Sequence, residues 1–87
     1  MTDEEIKNVC ALMSDKSLRI MWTEESEEVV AYVMMMVRDM IEFWEKSNVV
    51  LDPVQREVVI DSIVLTQTAA GKVFFGLLAA NNNRALL

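Results

Sequence analysis

The sequence predicts an all-α fold: a short N-terminal helix plus a long antiparallel helical hairpin, dimerising into a four-helix-bundle-like assembly. Three observations lead there. Apolar residues recur at three- and four-residue spacing in three segments. Helix start signals stand at Thr2 and at Asp52. The apolar arcs of the two long segments are also wider than 87 residues can cover.

Thr2 followed three residues later by Glu5 is a capping box, and Ile6, Val9, Cys10 and Met13 then fall on one face, which places a first helix over about 3–13. Ser14, Asp15, Lys16 and Ser17 make a polar break, and 18–22 reads as an apolar connector of at most one extra turn. Thr23 offers an N-cap, and Glu24, Glu25, Glu27 and Glu28 suit the positive end of a helix dipole, so a second helix is expected over 24–46. Asp52, Pro53 and Gln55 supply an N-cap, a first-turn proline and a capping glutamine. The third helix is expected over 53–80, ended by Asn81, Asn82 and Asn83 and followed by a tail over 81–87. Gly71 is its weak point, because glycine costs about 1 kcal/mol relative to alanine inside a helix. The whole is one small domain.

With 8 Lys+Arg against 14 Asp+Glu, the net charge is -6, which argues against direct binding to nucleic-acid phosphate. The chain has no histidine and one cysteine, Cys10, so an internal disulfide, the usual zinc sites and Ser-His or Cys-His catalysis are not expected. No enzyme activity, cofactor or metal is anticipated. The acidic start of the chain lacks the basic and apolar regions of a secretory signal, which predicts a cytoplasmic protein. Within 62–79 Lys72 is the only charge, yet Thr66, Gln67, Thr68 and Lys72 at the centre of that stretch oppose insertion, so no membrane role is expected.

On the second helix Val29, Val30, Val33, Met34, Met36, Val37, Met40, Ile41, Phe43 and Trp44 occupy one arc of roughly 200°, against somewhat over 100° for an ordinary surface helix. The third helix is similar. A short first helix leaves much of both uncovered, and a second copy is the simplest cover. The expected dimer or partner interface is Val33, Met36, Val37, Met40 and Trp44 with Phe74, Leu77 and Leu78. Methionines there serve either as core filler or as an adaptable recognition surface. Glu24, Glu25, Glu27 and Glu28 form the expected acidic partner surface, either as solvated helix-start acids or as a mimic of phosphate charge.

Ala69, Ala70, Gly71, Gly76, Ala79 and Ala80 suggest close helix approach, since Gly71-Lys72 lacks the other residues of a phosphate loop. The nine residues from Ala79 to Leu87, which open Ala-Ala-Asn and end on apolar residues, resemble the bacterial trans-translation degradation tag, while a helix end and a packing tail account for the same letters. The expected role is a non-enzymatic regulator or inhibitor of another protein, of a kind that phages and mobile elements encode, acting as a homo-oligomer. The other readings are a bundle binding a small ligand at its dimer interface and an acidic nucleic-acid mimic that blocks a basic groove.

Overall fold

A computed structural model describes residues 1–24 and 26–85, with the side chains of Thr23, Glu24, Asn83, Arg84 and Ala85 outside that description. It holds four helices and, among the described residues, no strand: α1 (Asp3–Ala11), α2 (Asp15–Glu24), α3 (Glu27–Lys46) and α4 (Pro53–Ala85).

Helix α1 starts as expected. Thr2 Oγ1 accepts from the Glu5 backbone N–H at 3.2 Å, and Glu5 Oε1 accepts from the Thr2 N–H at 3.3 Å. It ends at Ala11, two residues before the expected limit, which frees Met13 to turn into the core.

The connector expected over 18–22 is instead a ten-residue helix. Ser14 is its cap: the Ser14 hydroxyl accepts from the Ser17 N–H at 3.1 Å and the Ser14 carbonyl from the Leu18 N–H at 3.0 Å. Thr23 and Glu24 therefore end α2 rather than begin α3. The N-cap of α3 is Ser26, whose extended backbone breaks the helix and whose hydroxyl accepts from the Val29 N–H at 3.4 Å.

Helix α3 closes in a Schellman turn. Asn48 takes the left-handed conformation (φ 57°), the Val49 N–H donates to the Trp44 carbonyl at 2.9 Å, and the Asn48 N–H donates to the Glu45 carbonyl at 3.1 Å. Asp52 and Gln55 then cap α4 reciprocally, at 2.8 and 3.1 Å. Helix α4 runs through Gly71, its expected weak point, without a break, and continues through the asparagine triplet, where the sequence predicted its end, to Ala85. Asn48 is the one non-glycine residue with positive φ among those described, and Asn81 to Asn83 stay helical.

Helices α3 and α4 pack as a hairpin. The Tyr32 hydroxyl donates to Gln67 Oε1 at 2.6 Å, and a Cβ at Gly71 would lie 3.2 Å from Tyr32 Cδ1 and 3.4 Å from Val29 Cγ1. Gly71 thus allows close approach rather than a break. This register sets α3 against roughly the first two-thirds of α4, given a rise of about 1.5 Å per residue. The end of α4 projects beyond α3, and residues 76–82 are all exposed.

Helices α1 and α2 lie over one face of the hairpin, α1 against α3 and α2 against α4. Met21, Val33, Val37, Ile60 and Val64 are fully enclosed, with Val9, Met13, Val29, Val30, Met34 and Trp44 around them. Asp61 anchors this layer: its Oδ1 accepts from Ser17 Oγ at 2.6 Å and Ser14 Oγ at 2.8 Å. Ser17 itself is buried.

Candidate interaction surface

The expected interface divides in two. Val33, Val37 and Trp44 are buried in the chain's own core, between α3, its hairpin partner α4 and the layer formed by α1 and α2. Met36 is half-buried, and Met40, Phe74, Leu77 and Leu78 are exposed.

At about 100° per residue, the flank of α3 facing away from α1 carries Tyr32, Met36, Met40 and Phe43, and the matching flank of α4 carries Val59, Ile63 and Phe74. Phe43, absent from the expected interface, is the most open of these at 65 % exposure. Helical spacing places it beside Met36 and Met40, and that signal was available in the sequence. Phe74 meets Phe75 edge-on, with centroids 5.2 Å apart, and Phe75 in turn meets Tyr32 edge-on at 6.4 Å.

A second bare strip follows the outer edge of α4. Val54, Val58, Leu65, Val73 and Leu77 are exposed there, interleaved with exposed Ser62, Ala69 and Gly76. The hydroxyls of Ser62 and Thr66 donate back to the carbonyls of Val58 and Ser62, each at 2.8 Å. Those polar groups are satisfied within the helix, and the strip behaves as an apolar surface. By length and composition Pro53–Asn82 is also apolar enough to cross a membrane.

Between α1, α2 and α3 lies an open groove of about 610 Å³, lined by Met1, Ile6, Trp22, Val30, Ala31, Met34, Met35 and Glu27. Trp22 is 53 % exposed on its wall, whereas Trp44 is buried. Of the expected acidic surface, Glu27 and Glu28 are exposed in the first turn of α3. Glu25 and the side chain of Glu24 lie outside the described residues.

Titration and polar chemistry are sparse. Hydrogen bonds from the Thr2 backbone and hydroxyl hold the Glu5 carboxyl below its ordinary value, with smaller help from the N-terminal charge and Arg38. Cys10 is half-buried. Among the described residues no group of three or more acidic or cysteine side chains is placed to hold a metal ion. Arg56 Nε and the Thr68 hydroxyl are buried without a hydrogen-bond partner. No family model matches the chain, and neither a curated protein nor a solved structure matches it.

Proposed function

We propose that this chain is a non-enzymatic helical interaction module that works as a homo-oligomer and regulates or inhibits a protein partner. One observation carries the reading: after α1 and α2 have folded onto the hairpin, two apolar surfaces remain bare, the flank shared by α3 and α4 and the outer edge of α4. Soluble monomers seldom keep apolar patches beyond roughly 300 to 600 Å². One surface is taken by a second copy and the other receives the partner. Met36, Met40 and Phe43 with Phe74 and Leu78 suit the partner, since methionine and aromatic side chains repack against differently shaped surfaces. Glu27 and Glu28 add an acidic rim that disfavours acidic partners and favours basic ones.

Affinity capture with the wild-type chain and with Met40→Glu/Phe43→Glu tests this. A specific protein retained by the wild type at both about 50 and about 200 mM salt, and lost by the variant, supports the apolar face as the contact. A complex that dissolves over that salt range and ignores the variant favours the acidic-mimic reading. The groove beside Trp22, between α1, α2 and α3, favours a different one, a small apolar ligand. A stoichiometric small mass in native mass spectrometry of the purified protein is its test.

A further inference from the structure

We propose that a second copy of this chain inserts the projecting end of its α4 into the groove between α1, α2 and α3, and that the two copies do so reciprocally. The proposal rests on the reading that the chain self-associates, and it names the contact.

The projecting end lacks cover. A side chain at Gly71 would meet Tyr32 and Val29 of α3, and α3 begins at Glu27, so α4 beyond about residue 74 has no α3 beside it. The stripe that packs on α3 nevertheless continues. At about 100° per residue, Leu78 lies about 20° and Phe74 about 60° around the helix from Gly71, and Phe74, Leu77 and Leu78 fall within about 100° of arc. All three are exposed. The same stretch holds Gly76 and Asn81 to Asn83, which are weak helix formers. Helical segments of a few turns are held in water mainly by packing of an apolar face, and this one has none within its own chain.

The groove supplies such a face. Its floor runs along α3 from Glu27 to Met35, and its walls include Ile6 of α1 and Trp22 of α2. At a rise of about 1.5 Å per residue, that floor and residues 74–82 of α4 each span about 12 Å. Both lie at the same end of the molecule, because Val29 near the start of α3 faces Gly71 just before the projection. Two copies set end to end about a two-fold axis therefore fill each other's grooves and the pair closes, whereas one such contact alone would leave an open chain. The exposed parts of Phe74, Leu77 and Leu78 on one side and of Met1, Trp22 and Met35 on the other come to on the order of 700 Å² per copy, close to the roughly 800 Å² per partner of a standard stable interface.

Charge selects the same segment. Glu27 lines the groove and Glu28 is exposed next to it in sequence. Every acidic residue of the chain lies within 1–61, residues 73–82 are uncharged, and Arg84 follows them. In a protein of net charge -6, the end of α4 is the part of a second copy that this acidic rim does not repel. Phe74 and Leu78 then go to the second copy, at the border of the flank, and Met36, Met40 and Phe43 stay open to a partner in both copies.

Tryptophan emission and disulfide trapping test the contact. Trp44 is buried and Trp22 is exposed, so a change in emission on association reports on the groove. As the mass doubles between micromolar and millimolar loading, emission should move to the blue and quenching by acrylamide should fall. Leu78→Asp alters a side chain that is exposed in the single chain and should leave the fold intact, yet raise the dimer dissociation constant by about 100-fold or more. Val50→Asp, in the exposed loop, should leave it unchanged. In chains that also carry Cys10→Ser, Leu78→Cys mixed with Ala31→Cys or with Met35→Cys should cross-link between unlike chains on gentle oxidation, because bridged residues have Cα atoms within about 7 Å. A dimer that tolerates Leu78→Asp, links 78 to 78, or leaves Trp22 open to the quencher overturns this contact but leaves self-association standing. A chain that stays monomeric at millimolar concentration overturns both, and a small molecule bound one per chain in native mass spectrometry would then assign the groove to a ligand.

Discussion

Replacing Asp61 with alanine should release the α1–α2 layer from the hairpin. The carboxylate accepts two hydroxyl bonds, at 2.6 and 2.8 Å, from residues 44 and 47 positions away in sequence. Hydrogen bonds to charged groups contribute about 1.5 to 3 kcal/mol each on removal, and a buried hydroxyl left alone costs about 1 to 3 kcal/mol. Ser17 is buried and bears that cost. Ser14, only half-buried, recovers much of its loss in water. Ser17 can also turn its hydroxyl to the Met13 or Ser14 carbonyl just before α2, which reduces the total. The expected destabilisation is therefore about 2 to 3 kcal/mol, equivalent to roughly 10 to 15 °C in Tm for a domain of this size. Urea unfolding of wild type and variant at one fixed protein concentration measures it, since self-association ties stability to concentration. A double-mutant cycle with Ser17→Ala should return a coupling of about 1 to 2 kcal/mol. A loss under about 0.5 kcal/mol with no coupling would refute the view that Asp61 holds the layer in place.

Two further outcomes are expected. Thr68→Val removes a buried hydroxyl that has no partner and keeps the side chain's shape, so it should be neutral or stabilise by about 1 kcal/mol, and a clear loss in thermal unfolding would contradict this. Glu5 is held below its ordinary value of 4.5, so its share of stability is fully present above that pH and fades as the pH falls through the lowered folded value. Thr2→Ala, which removes the hydroxyl bond but keeps the larger contribution of the Thr2 backbone N–H, should shrink that acid limb for α1 without abolishing it, as read by amide exchange of residues 3–11 between pH 3 and 6.

The helix starts were legible where cap chemistry is reciprocal. Thr2 with Glu5 and Asp52 with Gln55 each name both ends of the capping box, and both form. Helix α2 was not, because Ser14 caps it with no capping glutamate behind it, and 18–22 carries four apolar residues in five, which hides the period. Thr23 and Ser26 are equally good caps by type, and the choice between them depends on how far α2 extends. The asparagine run misled for a related reason: asparagine tolerates the left-handed conformation without requiring it, and only at Asn48 does a Schellman turn impose it.

The interface was legible only in part. Val33, Val37 and Trp44 belong to the core that one chain builds from its hairpin and the α1–α2 layer, with Met21 of α2 in the same cluster. Met40, Phe74, Leu77 and Leu78, drawn from the same broad apolar arcs, stay exposed. The outer edge of α4 was less visible, because its apolar residues are spaced among serine, threonine and alanine and do not form a dense stripe.

Sedimentation equilibrium of the full chain tests the account most directly. The single chain has a mass of 9.9 kDa. Material loaded from micromolar to millimolar should converge on about twice that mass, or a higher multiple, as mass action fills the bare faces. A soluble species that keeps the mass of one chain across the whole range, with no bound companion, would contradict it.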